Sequence, residues 1–122
     1  MKHSPRFLQL VEEVRGQIRE VSVEEVRDKI ERGAPVLLLD VREESEWVQG
    51  HLPRARHLCK GIIERDIEAV CPDSDAEIIL YCGGGYRSAL AAANLQKMGY
   101  RNVASMAGGW RGWLERGYPI ER

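Results

Sequence analysis

Residues 77–95 read EIILYCGGGYRSALAAANL, and the rest of the chain can be placed around them. The apolar start, residues 77–81, predicts a buried strand, and the run from Ser88 to Leu95 is a strong helix former. Cys82 is therefore expected at the carboxyl end of a strand, with a helix N-terminus a few residues further on. The three glycines between them lack a Cβ, so several backbone N–H groups can turn towards one point.

This arrangement favours an ionised sulfur at Cys82. A free thiol titrates near pH ~8.5, and nearby positive charge or hydrogen-bond donors lower that value. The turned amides, the positive end of the helix dipole and the charge of Arg87 all act in that direction. A glycine-rich turn around an inert core cysteine is the alternative, but it does not explain three glycines, an arginine and a helix start in that order.

Composition excludes several classes of function. A chain of 122 residues is one domain that can bury its own core, and 18 Lys plus Arg against 19 Asp plus Glu give a net charge of −1. This balance provides no basic field for nucleic acid or an acidic membrane. The apolar runs are far shorter than the ~20 residues of a membrane span, and the N-terminus has no secretory signal. Cys59, Cys71 and Cys82 lack C-x-x-C spacing, which argues against zinc or a disulfide framework and favours the cytoplasm.

Predicted strands and helices alternate along the chain. A helix starts at Ser4-Pro5, and a capping box at Ser22–Glu25 opens a second helix that ends at Gly33. The other predicted elements are strands at 20–21, 36–39, 56–58 and 102–106, and helices at 43–49, 62–70 and 110–116. The alternation predicts a parallel sheet with helices on both faces, and ligand sites in such sheets lie at the carboxyl ends of the strands. Asp40 and Cys82 both fall there.

Three motifs in this order resemble the rhodanese family of sulfurtransferases over about residues 20–121. The segment 82–88, CGGGYRS, matches the family's C-x-x-G-x-R-S active loop. Upstream, residues 39–53 contain LDVR, EW and GHLP, which match its D-V-R…E-[WF]…G-H-[IL]-P signature. Downstream, GYRNV at 99–103 and MAGGWRGW at 106–113 match its closing segment.

The resemblance implies an α/β fold, a three-layer sandwich whose five-stranded parallel sheet has the order 1-5-4-2-3. It divides the chain into an N-terminal amphipathic helix, residues 1–19, and a rhodanese-like domain, residues 20–122. The extra helix either packs on the flank of the domain or forms a dimer contact, so both a monomer and a homodimer remain open.

The resemblance also implies an enzyme that moves sulfane sulfur from a small anionic donor such as thiosulfate to cyanide or a thiol. Cys82 is the expected nucleophile and carries a persulfide, without a metal or an organic cofactor. The residues expected to bind the transferred sulfur are Gly83, Gly84, Gly85, Tyr86, Arg87 and Ser88. One alternative is a carrier that delivers sulfur to a protein thiol. A phosphatase or arsenate reductase is disfavoured, because those enzymes need five residues between cysteine and arginine and this loop has four.

Structural support is expected from Asp40, which caps a β–α turn, and from an ion pair between Arg42 and Glu46. Three cations that follow the upstream motif are either rim groups that attract an anionic donor or ordinary surface residues: Arg54, Lys60 and Arg65.

The remaining histidines, tryptophans and cysteines are expected to be structural. His51 belongs to a turn, and His3 is expected in a frayed terminus. The three tryptophans, Trp47, Trp110 and Trp113, are expected in the core. Cys59 is expected to be an idle thiol unless it reaches Cys82 to resolve a persulfide, and Cys71 a bystander.

Overall fold

The sheet has the predicted strand order. The computed structural model describes residues 2–122 and contains five strands: β1 Arg19–Val21, β2 Leu37–Asp40, β3 Arg56–His57, β4 Ile78–Tyr81 and β5 Val103–Met106. All neighbouring strands pair in parallel, in the order β1-β5-β4-β2-β3. The order implied by the family resemblance is therefore confirmed.

Helices precede, connect and follow these strands. They are α1 Pro5–Arg15, α2 Val23–Arg32, α3 Glu44–Trp47, α4 Ile63–Val70, α5 Tyr86–Lys97 and α6 Gly109–Glu115, with a short 3₁₀ turn at Lys60–Ile62. The predicted capping box is present, because Ser22 and Glu25 exchange side-chain and backbone hydrogen bonds. Gly33 ends α2 in the left-handed region, with φ 67°. The sequence did not predict the 3₁₀ turn, and α5 begins two residues earlier than expected.

The core has two halves, one on each face of the sheet. Successive residues of a strand point to opposite faces, so Leu39, Ile78 and Leu80 pack against α4 and α5. Their neighbours Leu38, Ile79 and Tyr81 pack on the other face, together with α2 and α6. Helices therefore cover both faces, as the alternation of elements predicted.

The first helix packs against α5, on the flank of the domain. Its Val11 is 1% exposed, so this contact buries apolar surface. Among residues 2–122, no helix combines the length and the apolar character needed to cross a bilayer.

The sheet brings the predicted site residues to one edge. Asp40 pairs with Tyr81 in the register of β2 and β4, so Asp40 lies beside the residue that precedes Cys82. Both strands are parallel, and their carboxyl ends open at the same side of the domain.

Candidate active site

The sulfur of Cys82 is surrounded by hydrogen-bond donors. The backbone N–H groups of Gly85 and Ser88 donate to Sγ over 3.2 and 3.4 Å, and the Ser88 hydroxyl lies 3.6 Å away. Cys82 is only 1% exposed, but it lies in the wall of a cavity that opens to solvent. The cradle of amides expected from the glycines is therefore present around this sulfur.

Helix α6 sets the direction of the loop. The N–H groups of Trp110 and Arg111, in the first turn of α6, donate to the carbonyl oxygens of Cys82 and Gly83 over 2.8 and 3.0 Å. These carbonyls point towards α6, which leaves the following amides free to turn towards the sulfur. Gly85 makes the turn with φ 97°, a conformation that other residues rarely adopt.

Hydrogen bonds affect the pKa of Cys82 more than burial does. Burial raises the pKa of the thiol, because desolvation disfavours the charged form. The Ser88 hydroxyl and the amides of Ser88, Gly84 and Gly85 together lower the pKa by more than burial raises it. The pKa of Cys82 therefore lies below its ordinary value. The thiolate is consequently more populated at neutral pH than it is in a free cysteine.

Ser88 is itself held in place by Ser105 in β5. Their hydroxyl oxygens lie 2.7 Å apart, and both residues are fully buried. This contact orients the hydroxyl group that faces the sulfur.

Replacing Ser88 with alanine is expected to raise the pKa of Cys82, because the thiolate loses a donor that stabilises it. The rate of alkylation of a thiol rises as the pH passes through its pKa and is constant above it. The pH–rate profile of Cys82 should therefore move to higher pH. At pH 7 the alkylation rate should fall roughly fivefold, the equivalent of one hydrogen bond. Peptide mass spectrometry of iodoacetamide-treated protein would follow Cys82 alone.

Ser105→Ala serves as the matched control, because it removes the support of Ser88 and leaves the donor at the sulfur. Its profile should shift less than that of Ser88→Ala. Identical profiles for wild-type protein and Ser88→Ala would show that the hydroxyl does not act on the sulfur.

Arg87 is bound by Glu46. Its guanidinium group donates two hydrogen bonds to the Glu46 carboxylate, over 2.8 and 3.2 Å. The hydrogen bond from Arg87 is the main cause that lowers the pKa of Glu46, and the same bond raises the pKa of Arg87. The pair joins α3 to the active loop. The charge of Cys82 also raises the pKa of Arg87, so the guanidinium acts on the sulfur as well as on Glu46.

The prediction of an ion pair between Arg42 and Glu46 is wrong. Arg42 instead binds Asp40, with Nη2 2.7 Å from a carboxylate oxygen, and both residues are buried. Arg42 also donates to the carbonyl of Gly50 over 2.7 Å, and its guanidinium lies 4.6 Å from the centre of the Trp110 ring. Arg42, held by Asp40, therefore packs against the Trp110 ring, and neither residue of the pair lines the cavity.

A cavity of about 590 Å³ gives access to Cys82. The loop contributes Cys82, Gly83, Gly84, Tyr86 and Arg87 to its lining, and α3 contributes Glu46. The other lining residues are His3, Phe7, Trp110 and Arg111, none of which the sequence placed at the site.

Two expectations for aromatic residues are corrected by this cavity. His3 is not frayed, since its ring packs edge-on against Tyr86 with 4.6 Å between the ring centres. Trp110 packs against the core, as expected, but it is only half-buried and also lines the cavity, whereas Trp113 is 1% exposed and lies fully in the core. Trp47 is also half-buried and stacks on His51 at 3.6 Å.

The three cations expected at the rim do not line the cavity. Arg54 donates to the carbonyl of Ala34, which precedes the amino end of β2, so it lies at the opposite edge of the sheet from Cys82. The side chain of Arg65 pairs with Asp66 at 2.7 Å. Lys60 begins the 3₁₀ turn. Arg87 and Arg111 are the arginines that line the cavity instead.

The remaining histidines and cysteines lie outside the cavity lining. His51 Nδ1 lies 3.0 Å from the carbonyl of Leu52, and His57 Nε2 lies 2.7 Å from that of Arg42. Cys59 Sγ is 3.7 Å from the Glu43 carboxylate, and Cys71 is buried. The described residues contain no group of three or more His, Cys, Asp or Glu side chains that could hold a metal ion.

Comparison with known proteins gives consistent matches. A family model described as "Rhodanese-like domain" matches residues 22–116. A sulfurtransferase of Allochromatium vinosum is 32% identical over 84% of this chain and 94% of its own length. The thiosulfate sulfurtransferase GlpE of Haemophilus influenzae is 31% identical over the same shares of the two chains.

The match to one solved structure includes the N-terminal helix as well. It is a Rhodopseudomonas palustris protein of unknown function, described as a "Possible Tyrosine Phosphatase". It is 27% identical with a TM-score of 0.89, and the match covers 99% of this chain and 98% of the other.

Proposed function

The chain belongs to the rhodanese-like domain family, and from this premise we propose that it transfers sulfane sulfur through a persulfide on Cys82. Relatives that match most of the chain are named sulfurtransferases. The observation that supports the proposal most directly is the Cys82 sulfur itself, which receives two backbone amides and lies in the wall of an open cavity.

In the first step, the Cys82 thiolate attacks the outer sulfur of a donor such as thiosulfate. The sulfur–sulfur bond of the donor breaks, and sulfite leaves with the electron pair. Cys82 then carries a second sulfur as Cys–S–S⁻. The loop amides stabilise the charge on that terminal sulfur, as an oxyanion hole stabilises oxygen.

In the second step, a nucleophilic acceptor removes the terminal sulfur. Cyanide would leave as thiocyanate and a thiolate as its persulfide, and the Cys82 thiolate is regenerated in both cases. The two steps balance without an external oxidant or reductant, because the sulfane sulfur only changes its partner.

We expect ping-pong kinetics, because the first product leaves before the acceptor binds. Initial rates measured at several thiosulfate and cyanide concentrations should give parallel double-reciprocal lines. Protein mixed with thiosulfate alone should release about one equivalent of sulfite. Intersecting lines without sulfite release would contradict a persulfide intermediate.

A carrier that exchanges sulfur directly with a protein partner is the second candidate. The 1% exposure of Cys82 favours a small donor, because the sulfur must be reached through the cavity. Turnover with thiosulfate, compared with transfer from the persulfide of a cysteine desulfurase, separates the two roles.

Phosphatase chemistry is disfavoured by the loop. Four residues separate Cys82 from Arg87, and the Arg87 guanidinium is occupied by Glu46. Cys82-dependent hydrolysis of an aryl phosphate would contradict this conclusion.

A further inference from the structure

The cavity beside Cys82 contains one histidine. His3 lines it, whereas His51 and His57 lie outside the lining and each hold a ring nitrogen close to a backbone carbonyl. Among the hydrogen bonds of residues 2–122, none involves a ring nitrogen of His3, and neither nitrogen is a buried atom without a partner. The imidazole nitrogens are therefore accessible to a molecule that enters the cavity.

Aromatic packing holds this imidazole beside the active loop. The His3 ring lies 4.6 Å from the centre of the Tyr86 ring and 5.3 Å from that of Phe7. The guanidinium of Arg15 lies 5.0 Å from the same Tyr86 ring, which fixes α1 further to the loop. His3 precedes residues 22–116, the part of the chain that the family model matches, so its place in the cavity is a feature of this chain's own N-terminal segment.

The other titratable groups of the cavity are poor bases at neutral pH or are already engaged. The hydrogen bond from Arg87 lowers the pKa of Glu46, which makes that carboxylate a weaker base. Cys82 is itself the reacting group. Arginine and tyrosine side chains are protonated at neutral pH, which applies to the remaining titratable lining residues, Tyr86, Arg87 and Arg111. The charged side chains on the N-terminal segment that lie outside the lining are Lys2, Arg6, Glu12, Glu13 and Arg15.

The second step of the proposed reaction needs a base when the acceptor is a thiol. An ordinary thiol titrates near pH ~8.5, so it is mostly protonated at neutral pH, and only the thiolate is an effective nucleophile. The terminal sulfur of the persulfide extends about 2 Å beyond the Cys82 Sγ. Because that sulfur is reached through the cavity, the attacking thiol enters the space that His3 lines.

We propose that His3 is a catalytic residue, the general base that takes the proton of an acceptor thiol as the thiol attacks the Cys82 persulfide. This inference rests on the proposed function and adds a residue to its second step. Imidazole suits the role, because its protonation changes close to neutral pH.

The proposed step is balanced. The S–H bond of the acceptor breaks, and its proton binds a ring nitrogen of His3. The sulfur of the acceptor forms a bond to the terminal sulfur, while the bond between that sulfur and Cys82 Sγ breaks. The electron pair stays on Sγ as the Cys82 thiolate, and the acceptor leaves as R–S–S⁻. His3 then releases its proton to water.

Two acceptors that differ in their need for a base test the proposal. Protein is first loaded with sulfur from thiosulfate and freed of excess donor. The loss of the persulfide is then followed by rapid quenching and intact-mass spectrometry at slightly alkaline pH. Ethanethiol must lose a proton to attack, whereas sulfite attacks through the free electron pair on its sulfur. His3→Phe keeps an aromatic ring at this position, and it should lower the ratio of the ethanethiol rate to the sulfite rate by about tenfold or more.

Lys2→Ala is the matched control, since Lys2 is the preceding residue, is exposed and does not line the cavity. It should keep the wild-type ratio. A ratio that His3→Phe leaves unchanged, or rates that fall equally with both acceptors, would overturn the role of His3 as a base and leave the sulfurtransferase standing. If thiosulfate loads no sulfur on Cys82 of the wild-type protein, the proposed function fails and this inference fails with it.

The acidity of the acceptor provides a readout that a purely structural role would not change. Trifluoroethanethiol has nearly the size of ethanethiol but ionises far more readily, so it depends less on a base. The loss caused by His3→Phe should therefore be several times smaller with trifluoroethanethiol than with ethanethiol. Equal losses with the two thiols would contradict proton transfer to His3.

Chemical rescue covers the case in which the phenylalanine ring disturbs the N-terminal segment. His3→Ala removes the ring and leaves space for a small molecule. Added imidazole should raise its rate with ethanethiol by about tenfold and leave its rate with sulfite the same. Absence of rescue, or equal rescue with both acceptors, would count against the proposal.

Discussion

Replacing Cys82 with serine is expected to abolish sulfur transfer, with a loss of at least about 10⁴-fold. A serine hydroxyl is not ionised at neutral pH, and the amides of Gly85 and Ser88 would then face a neutral oxygen. An oxygen nucleophile also cannot hold the transferred sulfur as a persulfide. Both steps of the proposed reaction therefore fail together, and the loss should appear in every assay of transfer.

Intact-mass spectrometry checks this prediction directly. Wild-type protein incubated with thiosulfate should gain about 32 Da, the mass of one sulfur in a persulfide. Cys82→Ser should gain nothing. Cys59→Ser is the matched control and should keep the adduct, because Cys59 lies outside the cavity lining. An adduct that persists without Cys82 would show that another thiol carries the transferred sulfur.

Replacing Gly109 with alanine should damage both the fold and the active loop. A Cβ at this position would lie 2.5 Å from the carbonyl oxygen of Cys82 and 2.9 Å from that of Gly83. These contacts are to backbone, so the active loop itself would have to move. The φ of 55° adds strain for any residue with a side chain. Overpacking and strain together should cost about 2–4 kcal/mol.

Thermal unfolding and activity measure the two consequences. The melting temperature should fall by roughly 10 °C. The rate of transfer should fall by about 10²-fold in the protein that remains folded, because a shift of one ångström at the reacting group can cost that much.

Gly112→Ala is the control in the same helix. Its Cβ would meet only Val23 Cγ1, at an ordinary 3.5 Å, and alanine is favoured over glycine inside a helix by roughly 0.5–1 kcal/mol. The melting temperature should therefore stay the same or rise slightly. Equal losses in both variants would show that α6 is generally intolerant, and that contact with the loop is not the cause.

Local signals explain why the elements of the fold were predictable. The capping box at Ser22 and the left-handed Gly33 determine both ends of α2 through contacts between near neighbours in sequence. The continuous apolar runs of β2 and β4 follow from burial on both faces of the sheet. The strand order has no such local cause, and only the family resemblance provided it.

The active loop was predictable and its surroundings were not. Cys82 and its amides lie within one short segment, so spacing alone indicates the geometry. Phe7 and Arg111 reach the cavity only because α1 docks on Tyr86 and α6 on the loop carbonyls, and sequence spacing does not reveal either contact. The prediction of the wrong partner for Glu46 has the same cause. In the sequence, Arg42 and Arg87 are equally plausible partners, and only the fold shows that Arg42 binds Asp40 and Arg87 binds Glu46.

The position of β1 has a consequence for the synthesis of the protein. This strand follows α1, but within residues 2–122 it pairs only with β5, the last of the five strands in sequence. On the ribosome, β1 must wait for its partner until the residues of β5 have emerged. Pairing between such distant segments slows folding and leaves strand edges exposed. A nascent chain that stalls before residue 103 would therefore be prone to aggregation and to degradation.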